Sequence, residues 1–224
     1  MKGKLIIIEG GDGSGKATQT KRLYNRLKDE DKNIRKIEFP DYESDSSALI
    51  KMYLKGEFGK KAEDVNSYVA STFYAVDRYA SYKTKWKDFY ESGGIVVADR
   101  YTTSNMVHQA SKISDAKKWE EYLNWLCDFE FKMFELPEPD LVIFLDVDPE
   151  KSKDLMASRK NKFTGEMEKD IHESDLNHLK DSHKNALKIC EKYGWKRIEC
   201  IDENGLKSIE EIHEQIYEIV SKLI

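Results

Sequence analysis

Apolar residues fall along the chain in two alternating patterns. Five short runs, at 5–9 (LIIIE), 34–39 (IRKIEF), 95–99 (IVVAD), 141–147 (LVIFLDV) and 197–202 (RIECID), read as β-strands. Three of these runs are nearly continuous apolar stretches, the pattern of parallel strands covered by helices on both faces. The intervening segments carry helical spacing. Val69, Phe73, Val76 and Ala80 share one face of a long helix that ends at Gly93–Gly94. Trp119, Tyr122, Leu123, Leu126, Phe129 and Met133 do the same ahead of Pro137. Asp148–Pro149 reads as an N-cap followed by proline at the first helical position. Ser208 and Glu211 form a capping-box pattern, with Ile209, Ile212, Ile216, Ile219 and Leu223 following at helical spacing. Strands alternating with helices predict an α/β fold with right-handed crossovers. Ligands of such folds sit at the carboxyl ends of the strands, so the residues just after each strand are the candidates for chemistry.

Composition narrows the class. A chain of 224 residues suits one domain over 1–224. The net charge of -5 offers no global attraction to nucleic acid or to an anionic membrane. No apolar run approaches the roughly 20 residues of a membrane span, and the run near the N-terminus is too short for a secretory signal. Cys127, Cys190 and Cys200 lack metal-site spacing and read as isolated thiols of a reducing cytosol. The expectation is a cytoplasmic protein without nucleic-acid or membrane partners.

The first strand runs into GGDGSGKATQT at 10–20, a near match to the P-loop pattern G-x-x-x-x-G-K-[ST]. The segment Gly10, Gly11, Asp12, Gly13, Ser14, Gly15, Lys16, Ala17, Thr18 is the expected phosphate cradle. Its glycines let backbone N–H groups converge on phosphate oxygens, and the helix that follows aims its N-terminus there. Lys16 would pair with the terminal phosphates of a nucleoside triphosphate. Ala17 stands where the pattern asks for a hydroxyl to hold Mg²⁺. Thr18 is one residue too far, about 100° further round the helix. Mg²⁺ keeps several waters readily, so the missing hydroxyl weakens a metal site without abolishing it.

Other strand ends add to this. Phe39-Pro40-Asp41 follows the second strand. Asp99-Arg100-Tyr101 follows the third, offering a carboxylate that can hold Mg²⁺ through water and a guanidinium fork suited to a phosphate. Asp146 ends the fourth strand and competes as a metal carboxylate. Asp77-Arg78 interrupts an apolar, aromatic helix, where charge is costly unless paired or bound to a ligand. The polar, basic segment 158–169 (SRKNKFTGEMEK) has the composition of a lid over phosphates.

Taken in order, GGDGSGK, Phe39-Pro40, Tyr74 through Arg78, Asp99-Arg100-Tyr101 with Ser104 and Asn105, and the basic lid resemble thymidylate kinases. The resemblance implies a P-loop NTPase fold of the nucleoside monophosphate kinase type: a five-stranded parallel sheet flanked by helices on both faces, with a lid at about 158–170. It implies transfer of the ATP γ-phosphoryl group to dTMP with Mg²⁺, by a homodimer. By resemblance, Asp12 contacts the acceptor sugar and Phe39 and Pro40 wall the acceptor. Phe73 or Tyr74 stacks on the base, and Arg78 and Asn105 address its edge. Arg100 grips the acceptor phosphate, with Ser104 beside it and Asp99 near the metal. His108 lies beside the sugar, Gln109 near the acceptor, and Arg159 in the lid supports catalysis. Tyr42 and Gly13 depart from the family by replacing arginines that some members carry.

Overall fold

The computed structural model describes residues 2–151, 176–203 and 205–224. Five parallel strands, β1 (Lys4–Gly10), β2 (Ile34–Glu38), β3 (Ile95–Asp99), β4 (Leu141–Asp146) and β5 (Lys196–Glu199), form one sheet in the order β2-β3-β1-β4-β5. Side chains alternate between its two faces. Ile6, Ile8, Val97, Ile143 and Leu145 meet Leu23 and Leu27 of α1 (Lys16–Asp29) and Ile212, Ile216 and Val220 of α8 (Ile209–Val220). Leu5, Ile7, Val96, Ala98 and Val142 point the other way, toward Tyr82, Trp86, Tyr90 and Tyr101. Burying each such side chain is worth roughly 1.5–3 kcal/mol, so both faces are firmly covered.

The long helical segment of the sequence pattern is built in three parts: α3 (Ser67–Ser81), a π-helical turn (Tyr82–Trp86) and α4 (Lys87–Glu91). A short α2 (Ala48–Leu54) precedes it. After β3 come α5 (Thr102–His108) and α6 (Ala116–Cys127), the latter running into a second π-helical turn at Asp128–Met133. α7 (Leu176–Tyr193) packs on α5 and leads to β5. The expected capping box at Ser208 and Glu211 opens α8.

Three strand ends differ from the pattern. Phe39 still donates its N–H to Asp99, but the cis Phe39-Pro40 bond brings a residue without an N–H for the ladder. β4 stops at Asp146, and a helix opens at Pro149 with Asp148 Oδ1 accepting from the Glu150 N–H at 2.8 Å, as the Asp148-Pro149 pattern predicts. The run at 197–202 splits at Cys200, and Ile201–Asp202 turn back into a small hairpin with Gly205–Leu206.

A larger difference lies on α3. Its buried residues are Ser67, Ala70, Ser71, Ala75, Asp77, Arg78 and Ser81, small or polar. The apolar stripe instead faces outward, with Val69 43% and Val76 45% exposed.

Candidate active site

The carboxyl ends of β1 and β3 lie side by side at the centre of the sheet, with Ile8 paired to Asp99. β1 runs into the glycine loop. Gly10 passes so close to β4 that a Cβ would sit 2.8 Å from the Leu145 carbonyl oxygen. Gly15 caps α1 at φ 87°, a left-handed conformation open to glycine at little cost. Lys16 is buried behind the loop and donates from Nζ to the Gly11 carbonyl at 2.7 Å, with Asp12 Oδ1 at 3.8 Å. Burial and the nearby Arg100 lower its pKa to about 8, against the opposing pull of Asp12, Asp99 and Glu9. Ala17 and Thr18 are exposed on the outer side of the first turn.

Arg100 follows β3 with a left-handed backbone, φ 68°. That conformation is uncommon for a side-chain-bearing residue and costly enough to need support from its surroundings. The support is a ring of partners. Nη2 donates to Asp12 Oδ1 at 2.5 Å, and Nη1 donates to Ser104 Oγ at 3.3 Å and to His108 Nε2 at 3.1 Å. Glu9 Oε1 lies 3.6 Å from Nη1. Burial alone would lower the Arg100 pKa, but Asp12, Glu9 and Asp99 raise it above its ordinary value. His108 is held neutral: burial, then Arg100 and His178, push it well below the usual histidine range. A neutral ring lets Nε2 accept from the guanidinium. A crevice opens beside Asp12 and His108, walled by Val107, Phe144, Val147 and Leu179.

The predicted residues therefore form a first cluster of Asp12, Lys16, Asp99, Arg100, Ser104 and His108 around the glycine loop. Sequence reasoning missed its fully buried member, Glu9. Glu9 accepts from Thr103 Oγ1 and Ser104 Oγ, both at 2.7 Å, and from the Gly10 N–H at 3.0 Å. The signal was available: a carboxylate ending an apolar strand must have partners.

A second cluster gathers Arg78 and Asn105. Arg78, 1% exposed, is neither a surface residue nor isolated: Glu130 pairs with it in a bidentate ion pair. Neighbouring Asp77 is also buried and accepts from the Asp41 N–H at 2.8 Å and Ser46 Oγ at 2.6 Å. Asp77 thereby fastens the loop after β2 onto α3. In a third cluster, half-buried Phe73 and Tyr74 lie edge-on to Tyr53, with Tyr42 packed alongside. Phe39 turns into the core against Tyr101, leaving Pro40 as the accessible part of the expected wall. Gln109 is buried one turn after Asn105, and its carbonyl accepts from Ser67 Oγ at 2.7 Å. Arg159 and the expected lid lie outside the described residues.

Asp146, the competing carboxylate, is engaged by two side chains. His183 Nε2 and Arg197 Nε each lie 2.6 Å from its oxygens. These two partners hold its pKa below the ordinary value although burial pushes the other way.

Residues 8–216 match the family model described as thymidylate kinase. The chain belongs to the thymidylate kinase family. Among curated relatives, a thymidylate kinase of Schizosaccharomyces pombe is 29% identical over 99% of this chain and 93% of its own length. A probable thymidylate kinase of Pyrococcus horikoshii is 30% identical, covering 98% and 97%. The fold is that of a Candida albicans thymidylate kinase, with a TM-score of 0.72 at 24% identity over 99% of this chain and 92% of that one. Among the described residues, no helix is long and apolar enough to cross a membrane.

Proposed function

We propose that the chain transfers the γ-phosphoryl group of ATP to dTMP, giving dTDP and ADP, with its acceptor phosphate on Arg100 and its donor phosphates on the glycine loop. The observation that carries this reading is the contact between Arg100 and Asp12, which sets a guanidinium beside the donor cradle and its Lys16. Two cations at the meeting point of two phosphates can neutralise the charge of an in-line transfer. The acceptor is already an oxyanion, so the chain's task is positioning and exclusion of water rather than proton abstraction. Half-buried Phe73 and Tyr74 offer the base a stacking face.

Mg²⁺ fits the donor set. Asp99 lies close enough to Lys16 and Arg100 to act on both electrostatically. Among the described residues no three His, Cys, Asp or Glu side chains converge as a direct ligand cage, which suits an ion that keeps most of its waters. Asp99 would hold those waters, and the ion would supply charge neutralisation on the donor phosphate oxygens.

The chain acts as a cytoplasmic homodimer through α3 and α6. Exposed Val69, Val76, Tyr68 and Tyr79 adjoin an aromatic ladder in which Tyr68 meets Trp125 at 4.7 Å and Trp125 stacks on Phe129 at 5.1 Å. An apolar surface of this kind marks an interface.

One coupled assay tests the reading: ATP and Mg²⁺ with dTMP, dUMP, AMP, CMP and thymidine in parallel. Turnover confined to dTMP and dUMP supports it. Preference for thymidine over dTMP, or nucleotide binding without transfer, overturns it.

A further inference from the structure

We propose that Glu130 is the positioning residue behind acceptor-base selectivity, fixing the guanidinium of Arg78 and the carboxamide of Asn105 in one orientation. The inference rests on the dTMP reading, in which those two side chains face the base. Glu130 comes from the π-helical turn after α6 and is 0% exposed. Its Oε2 accepts from Arg78 Nε at 2.6 Å and Thr102 Oγ1 at 2.7 Å, and its Oε1 from Arg78 Nη2 at 2.5 Å and Asn105 Nδ2 at 3.4 Å. One carboxylate thus collects donors from α3 and α5.

The donor pattern this imposes is specific. With Nε and Nη2 committed to Glu130, the guanidinium plane is set, and Nη1 is the remaining edge, its one partner among the described residues the Tyr101 carbonyl at a long 3.4 Å. Asn105 Nδ2 also donates to the Ser71 carbonyl at 3.3 Å. Both neighbours of that amide are acceptors, so the nitrogen must face them and the oxygen must lie on the opposite side. Glu130 therefore fixes the direction in which Arg78 donates and turns the Asn105 oxygen outward as an acceptor. A base edge with a carbonyl next to an N–H, as in the imide of thymine, complements that pair. The cytosine edge, with an amine next to an unprotonated nitrogen, presents the reverse. A buried ion pair seldom adds net stability over apolar residues of the same size. What this one supplies is geometry.

The test is steady-state kinetics of Glu130→Gln and Glu130→Asp with dTMP and dCMP, with the KM for ATP as an internal control. Glu130→Gln replaces one acceptor with an NH₂ that opposes Arg78 and Asn105. Its expected effect is a rise in KM for dTMP of roughly 10- to 100-fold, the equivalent of one charge-assisted hydrogen bond. The preference for dTMP over dCMP should narrow, with the ATP KM unchanged. Glu130→Asp keeps the charge but withdraws it by one methylene, and the preference should narrow severalfold. Should Glu130→Gln fail to fold, the aspartate variant decides alone. A purely structural role would lower both acceptors by the same factor; that result, or an unchanged dTMP-to-dCMP ratio in a folded variant, overturns the proposal. If the unmodified protein itself shows no preference for dTMP over dCMP, the acceptor reading has failed, and this inference with it.

Discussion

Arg100 and Asp12 are joined side chain to side chain, Nη2 to Oδ1 at 2.5 Å. The contact ties the end of β3 to the glycine loop that follows β1. On the proposed reading, an incoming acceptor phosphate competes with a carboxylate for the same guanidinium.

Replacing Arg100 with Met keeps much of the stem and removes the fork. The loss of a charge-assisted hydrogen bond, about 1.5–3 kcal/mol, corresponds to roughly 10- to 100-fold in affinity. Arg100→Met is expected to weaken dTMP by that order while ATP binds nearly as before, measured by calorimetric titration of each nucleotide. Loss of ATP binding with dTMP intact would mean that the two pockets have been assigned the wrong way round.

Lys16 is expected to set a pH limit on the proposed reaction. Its folded pKa of about 8 lies below the ordinary 10.5, so the amine of the free chain loses its proton as pH rises through about 8. kcat/KM for ATP should fall over that range. kcat itself should fall at higher pH, because bound phosphate favours the charged amine. The linked effect on stability has the opposite sign: between about 8 and 10.5 the unfolded chain binds more protons at this group, so its contribution to stability rises with pH. A kcat/KM profile for ATP that stays flat to pH 9.5 would contradict the assignment.

Asp146 holds α7 and β5 together through His183 and Arg197. Asp146→Asn keeps the shape and loses the charge, and should cost about 1–3 kcal/mol in urea unfolding at pH 7. Because the Asp146 pKa is depressed, its contribution is present above the ordinary aspartate range and is lost as pH falls through the folded value. The difference between the two proteins should therefore shrink in acid. A constant difference down to pH 3 would argue for a packing effect instead.

Val69 and Val76 carry the expected dimer face. A double substitution to Glu puts two charges on an exposed apolar stripe without touching the core, so each chain should still fold. Light scattering is expected to move from the dimer mass to the monomer mass. An unmodified chain that is monomeric at micromolar concentration would remove the dimer from the reading.

Much of this protein is local and therefore legible in its sequence. The near-continuous apolar runs of β1, β3 and β4, the glycine loop and the Ser208–Glu211 capping box depend on neighbours a few residues apart, and each is found where the spacing predicts it. Asp99 and Arg100 were legible as a strand end, a position defined by the chain itself. The partners of the buried charges were not. Glu130 lies 52 positions from Arg78, and Arg100 lies 88 from Asp12. No periodicity links such pairs; the packing of α3 against the turn after α6 brings the first within hydrogen-bond reach, and the parallel pairing of β1 with β3 the second. Tertiary packing also decided which face of α3 turns inward. Helical spacing marked Val69, Phe73, Val76 and Ala80 as one stripe, but burial fell on the small and polar face, because Arg78 and Asp77 must reach Glu130 and the loop after β2. The sequence by itself determined where strands, loop and caps form; the tertiary structure decided which charges meet, since a buried charge settles only where the fold supplies its counter-charge.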